Sequence, residues 1–211
     1  MSLNYCVLVS GGGSNLQALI DAHRRGEINA NICGVIASKP DAYALVRARE
    51  NGIPSQVVSR RDYADAQAHQ AGLLEALVST GADFVVLAGY LSILGAGIIR
   101  RYPGRIINVH PALLPAFGGK GYYGLKVHQA ALDYGVKVSG ATVHLVDEGT
   151  DTGPIIFQDG LAVDPDETAE SLQQRVMEIE HRLLPKAVAL MALGQIKADG
   201  RKVIICKGED K

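Results

Sequence analysis

Short apolar runs alternate along the first half of the chain with longer stretches in which apolar residues return every three or four positions. "NYCVLVS" precedes a helical pattern from about Asn15 to Arg25. "NICGVIAS" precedes "DAYALVRARENG", where Asp41 is placed to cap a helix and Gly52 to stop it. "SQVVS" leads into a long amphipathic stretch ending near Gly81, and "ADFVVLAG" reads as a buried strand. A short helix around Gly97 to Arg101 and the strand "GRIINVH" follow. These are βα units with continuously apolar strands, so the expected sheet is parallel and covered on both faces.

The pattern changes after about residue 110. "VKVSGATVHLVD" and "GPIIFQDGLAV" are longer strands joined by the tight "EGTDT", a spacing that favours an antiparallel pair or a return strand. "DPDETAESLQQRVMEIEHRLLPKAVALMAL" predicts a long helix with Leu172, Val176, Ile179 and Leu183 on one stripe. Pro185 is expected to kink or interrupt it. The resulting fold class is α/β: an open, mostly parallel twisted sheet with helices on both faces and an antiparallel strand in the C-terminal part. With no internal repeat or low-complexity linker, residues 1–211 read as one domain.

Composition narrows the function classes. The chain has 211 residues, is 47% hydrophobic and carries a formal net charge of −1. That suits one full core and offers no basic excess for nucleic acid. No apolar run is long enough to span a bilayer, and Met1 to Asn4 lack the features of a signal peptide, so the expectation is a cytoplasmic protein with no membrane partner. Cys6, Cys33 and Cys206 are widely spaced and sit in apolar runs, which reads as three buried reduced thiols rather than a metal site. No spacing suggests zinc.

"YCVLVSGGGSNLQALIDA" holds the first candidate site: a strand breaks into Gly11, Gly12 and Gly13, then Ser14, Asn15 and a helix. Glycines here let a ligand approach the backbone, and amides at a helix start face an anion. The dinucleotide fingerprint fails, because Leu16 occupies its third glycine and "VIASKPDA" offers no acidic residue at the end of the next strand. A phosphate-binding loop would need Gly-Lys-Ser/Thr. Two readings stay open: a compact nest for a single phosphate, or a tight turn capped by Ser14.

The second candidate is "GRIINVHPALLPAFGGKGYYGLKVH". Asn108 and His110 lie two apart at the end of a strand and therefore share a face, where open α/β sheets place ligands. Asn108 supplies amide donors and His110 a proton acceptor or donor, a plausible oxyanion hole and proton handler. They could equally satisfy strand-end backbone groups. In "HLVDEGTDTGP", Asp147, Glu148 and Asp151 are each able to raise the pKa of His110 and orient its ring, and each is equally suited to a turn.

"SGGGSN", "NVHPALLP" and "VDEGTDTGP", in this order, resemble the glycinamide ribonucleotide transformylase family of folate-dependent formyltransferases, and the resemblance covers nearly the whole chain. It implies a Rossmann-like fold whose N-terminal half binds the ribonucleotide and whose C-terminal half completes a folate pocket. It implies Asn108, His110 and Asp151 as the catalytic trio. Gly13, Ser14 and Asn15 match the phosphate positions, and Met177, Glu178, Ile179 and Glu180 match the segment meeting the glycinamide end. On its own residues Glu180 would read as a solvated helix carboxylate. Leu91, Ser92, Ile93 and Leu94 match the folate segment, with Asn108, Asp147, Glu148, Gly149, Thr150 and Asp151. Arg60 or Arg61 matches a further folate contact. Ser92 departs from the family, where an arginine is usual. The long "AFGGKGYYGLKVH" loop could bring Lys120 and Tyr122 to substrate or leave them solvated.

The resemblance further implies small-molecule substrates, 10-formyltetrahydrofolate as formyl donor, no metal, and a monomer or homodimer. The nearest rival would pass the formyl group to water; that relative carries an extra N-terminal domain, and the transfer-RNA formyltransferase an extra C-terminal one. A first strand beginning by Leu3 and an end soon after "KVIICK" lead us to expect neither. A non-catalytic nucleotide-binding regulator is the alternative of a different class; it would need the glycine turn but not the trio.

Overall fold

The structure, a computed structural model, describes residues 2–206. Its main sheet has seven strands in the order β3-β2-β1-β4-β5-β6-β7. They are β1 (Leu3–Val9), β2 (Ala30–Ala37), β3 (Ser55–Val57), β4 (Phe84–Leu87), β5 (Ile106–His110), β6 (Val138–Leu145) and β7 (Ile155–Ala162). The first five pair in parallel, while β6 runs antiparallel to both β5 and β7. A separate hairpin joins β8 (Ile196–Asp199) to β9 (Lys202–Ile205). The pattern change read after residue 110 is thus the switch from parallel to antiparallel pairing within one sheet.

The helices are α1 (Ser14–Arg24), α2 (Ala44–Glu50), α3 (Ala66–Ser79), α4 (Ala96–Arg101), α5 (Leu125–Tyr134) and α6 (Ala169–Ala192). Strand alternation divides the core into two layers. Tyr5, Val7 and Val9 of β1 pack with Leu16 and Leu19 of α1 and Val176 and Leu183 of α6 on one face. Cys6 and Leu8 pack with Leu73 and Leu77 of α3 and Ile98 of α4 on the other. No helix among the described residues is long and apolar enough to cross a membrane.

Four local expectations change. Asp41 caps nothing: α2 begins only at Ala44 after Tyr43, and the Asp41 carboxylate faces Lys39 at 3.7 Å in solvent. Pro185 does not interrupt α6, which continues to Ala192. The carbonyl of His181 forgoes its helical donor there, and the buried stripe holds the helix together: Leu172, Val176, Ile179 and Leu183 are all inside, as is Pro185 itself. Cys6 is buried, Cys33 half-buried and Cys206 exposed at the end of the small hairpin, so the thiols do not share one environment. Finally α5 lies inside a segment read as loop; its glycine-rich approach masks the pattern, and only Val127, His128 and Ala131 of it are buried.

Candidate active site

Neighbours in the sheet are built outward from β1, to β2 on one side and β4 on the other, so the chain reverses direction of growth between β1 and β4. Loops diverge at such a switch point and leave a crevice at the strand ends. A cleft of about 520 Å³ lies there. It is lined by the turn after β1, the segment after β4, the end of β5, the loop after β6 and one face of α6.

The glycine turn forms one wall. Gly13 sits at φ 72° as the cap residue of α1 and makes no side-chain cap. A side chain there would stand 2.7 Å from Cβ of Ala44, so glycine is required both by the left-handed conformation and by the close approach of α2. Ser14 is the first residue of α1 and not its cap, which removes the capped-turn reading. The Asn15 side chain ties the turn to the last helix: Nδ2 donates to Glu180 Oε2 at 2.7 Å, while Oδ1 is buried without a partner among the described residues. Glu180 is only 8% exposed, not solvated. Burial pushes its carboxyl up to about 7, and the Asn15 bond only partly opposes this.

Along α6 the cleft takes Gln173, Met177 and Glu180, which share one helical face. Glu178 and Ile179 do not line it. A contiguous run on a helix cannot face one way; Ile179 enters the core and Glu178 lies on the outer surface beside Arg182.

At the centre, Asn108 and His110 project from β5 on the same face, and the antiparallel register puts His144 of β6 opposite Asn108. Asn108 Nδ2 contacts His144 Nε2 at 3.0 Å and donates to Asp151 Oδ1 at 3.3 Å. The His144 Nδ1–H is directed at the Leu145 carbonyl at 2.8 Å, leaving Nε2 to accept from Asn108. His110 Nε2 donates to the Phe117 carbonyl at 2.8 Å, and its Nδ1 lies 3.6 Å from Asp151 Oδ2. The other approach to Oδ2 is the Gly119 amide at 2.9 Å. Asp151 holds φ 57°, a conformation L residues rarely adopt outside constrained sites.

The electrostatics depart from expectation in one respect. Burial pushes His110 below its ordinary value; the Asp151 carboxylate and the Phe117 carbonyl pull it back up without winning, and His144 pushes it further down. The carboxylate therefore acts in the expected direction, but burial outweighs it and favours the neutral ring. Burial raises Asp151, yet the surrounding His144, His110 and Gly119 amide outweigh it and hold the carboxyl below its ordinary value. His128 of α5 also lines the cleft, and burial followed by the nearby His110 pushes it down to about 4.

Loops complete the walls. Leu91 and Ile93 are exposed at the mouth, whereas Leu94 is buried. This segment is held from behind: the Leu91 amide donates to Ser10 Oγ at 2.9 Å, and Gln70 of α3 both donates to the Ile93 carbonyl and accepts from the Gly95 amide. Ser92 lines the cleft between them. The loop after β6 is folded on Asp147, whose Oδ1 accepts from the Gly149 amide and from Thr152 Oγ1 at 2.6 Å. Asp147, Gly149, Thr150 and Asp151 face the cleft. Glu148 does not; it is exposed, 3.8 Å from Arg100. Lys120 and Tyr122 of the long loop reach the lining.

Arg60 and Arg61 are not brought to the cleft. They form a 3-10 turn after β3, the far edge strand, and Arg60 Nη1 donates to the Tyr63 carbonyl at 2.9 Å. Sequence reasoning missed His144, His128, Gln173 and Tyr90. His144 had a usable signal: if "TVHLVD" pairs antiparallel with "INVH", the two polar strand positions meet.

A mixed sheet with a glycine turn and an Asn–His–Asp cluster on one cleft defines a Rossmann-like protein with a polar pocket lined by titratable side chains at its switch point. The chain belongs to the formyl transferase family, whose model matches residues 3–188. It is similar to the trifunctional purine biosynthetic protein adenosine-3 of Drosophila melanogaster, 45% identical over 89% of this chain and 14% of that protein. It is 37% identical to the phosphoribosylglycinamide formyltransferase of Haemophilus influenzae, over 90% of this chain and 88% of that one. Glycinamide ribonucleotide transformylase 1 from Symbiobacterium toebii superposes with a TM-score of 0.92 at 41% identity, covering 98% of this chain and 95% of that one. The chain spans between 14% and 66% of the length of several other curated relatives it matches, multifunctional or chloroplast proteins among them.

Proposed function

We propose that this protein transfers the formyl group of 10-formyltetrahydrofolate to the primary amine of glycinamide ribonucleotide, in de novo purine biosynthesis. The observation that carries the reading is the meeting of Asn108, His110 and Asp151 in a cleft whose far wall is the glycine turn. The ribonucleotide phosphate rests on the amides of the Gly13, Ser14 and Asn15 stretch, with Met177 and Glu180 toward the glycinamide end. The folate lies against Leu91, Ser92, Ile93 and Leu94 and the loop from Asp147 to Asp151. No metal takes part, and the same reading puts the enzyme in the cytoplasm with its soluble substrates.

The amine attacks the formyl carbon, and negative charge develops on the former carbonyl oxygen. Asn108 can donate to it by releasing its longer contact, the one to Asp151; one such donor is worth roughly 10²–10³ in rate. The resting His110 is neutral with Nδ1 free to accept. It takes the proton from the attacking nitrogen, and the resulting charge lies against Asp151. The charged ring then supports the oxyanion. As the bond from carbon to the folate nitrogen breaks, the proton passes to that nitrogen, directly or through a water ordered by Asp151. Both substrates being held together accounts for much of the remaining acceleration. The test is loss of 10-formyltetrahydrofolate followed by folate absorbance with and without glycinamide ribonucleotide: turnover must depend on the ribonucleotide.

A further inference from the structure

Each carbonyl of the glycine turn is captured, two of them by α2 and the third by the first turn of α1. The Ala44 amide of α2 donates to the Gly11 carbonyl at 3.1 Å, and Arg47 Nε of the same helix donates to the Gly12 carbonyl at 2.9 Å. The Gln17 amide takes the Gly13 carbonyl at 2.9 Å. In a trans peptide the carbonyl of one residue and the N–H of the next point in opposite directions. Anchoring the Gly11 and Gly12 oxygens on α2 therefore turns the N–H groups of Gly12 and Gly13 away from that helix and toward the cleft, which no residue of α2 lines, while the Ser14 N–H is one of the open amides at the start of α1. Among the described residues, none of these three amides donates to a protein group. Next to them, Asn15 lines the cleft and its Oδ1 is buried without a partner among the described residues, in a residue only 7% exposed.

Arg47 is the one anchor of the three made by a side chain. Its guanidinium stacks 5.1 Å from the Tyr43 ring centroid and donates from Nη1 to Gln17 Oε1 at 3.0 Å, so it is held on both sides of its bond to the turn. Arginine suits this place because its fork engages two acceptors while its charge adds positive potential behind the amides.

We propose that Arg47 is a positioning residue for the ribonucleotide: from outside the cleft, it fixes the Gly12–Gly13 peptide so that its amide faces the substrate phosphate. This rests on the phosphate role given to the turn above. Without Arg47 the Gly12 carbonyl is free to rotate inward, where its oxygen would repel the anion and the Gly13 N–H would no longer face it.

The test compares the wild type with Arg47→Met, Arg47→Lys and Gln17→Met. Ribose 5-phosphate binding by calorimetry is read beside the KM of each substrate. Arg47→Met should weaken ribose 5-phosphate about tenfold, the scale of one lost charge-assisted bond. It should raise ribonucleotide KM similarly, leave folate KM within twofold, and lower kcat less than it raises KM. Arg47→Lys should recover part of the loss. Gln17→Met, which removes the other partner of Arg47 and spares the turn, should shift ribonucleotide KM far less. Unchanged sugar-phosphate affinity in a folded Arg47→Met protein overturns the proposal, as does an equal loss for both substrates or an equal effect of Gln17→Met. Absence of ribose 5-phosphate binding in the wild type would instead remove the phosphate role itself, and the proposal with it.

Discussion

Asn15 donates from Nδ2 to Glu180 Oε2 at 2.7 Å, joining the first helix to the last across 165 positions of sequence at the edge of the cleft. The bond makes a cleft-lining carboxyl part of the fold, and its part in the fold can be measured apart from the substrate role proposed for it.

Glu180 holds its proton more tightly folded than unfolded, since burial raises it from 4.5 to about 7. Its contribution to stability is complete below pH 4.5 and is lost as pH rises through 7. Glu180→Gln stays neutral throughout. Urea unfolding at pH 4.5 and pH 8 should show the variant gaining on the wild type by on the order of 3 kcal/mol across that interval. Parallel pH profiles would mean that the carboxyl is not desolvated. The same variant should raise the KM for the ribonucleotide and leave that for folate nearly unchanged.

Asp151→Asn keeps the shape of the loop and removes the charge beside His110. Turnover should fall by about 10² or more, with a smaller change in ribonucleotide KM. By imidazole NMR, His110 should titrate lower in the variant than in the wild type, because the carboxylate is what opposes the effect of burial. Asp147→Asn should be milder, since Asp147 folds the loop through Gly149 and Thr152. A dead Asp147 variant beside an active Asp151 variant would exchange the two assignments.

Two neighbouring glycines should behave differently. Gly13→Ala meets Ala44 and a positive φ, so it should cost roughly 1–3 kcal/mol in thermal or urea unfolding. Gly12→Ala has open space around its Cβ, so the fold should survive while ribonucleotide binding weakens. Equal stability of the two variants would contradict the packing of α2 on the turn.

Thiol accessibility tests the placement of the cysteines. In the native protein Cys206 should react promptly with a neutral disulfide reagent and Cys6 only on unfolding, being buried with its thiol pushed up by desolvation. Protection of Cys206 in the native state would move the small hairpin against the body of the protein.

The strands and their order of use were legible because a buried parallel strand is apolar throughout, and nothing else in a short run looks like "CVLV" or "FVVL". Asn108 and His110 were legible because period-two spacing at a strand end leaves no choice of face. Met177 and Glu180 could be separated from Glu178 and Ile179 by helical phase alone, yet a match carried along as a block hides that phase. What local sequence does not carry is contact between distant segments: His144 across from Asn108, the Gly119 amide on Asp151, and α2 beneath the turn. Those arise from the register of β5 on β6 and from the packing of α2, which are set by the whole core.

The fate of the formyl group tests the central claim most directly. Wild-type protein would be given 10-formyltetrahydrofolate labelled at the formyl carbon together with glycinamide ribonucleotide, and the label followed by carbon NMR. The label should appear on the ribonucleotide amine in step with the loss of folate, and Asp151→Asn should slow both equally. Label released as formate at the same rate with or without the ribonucleotide would contradict the account.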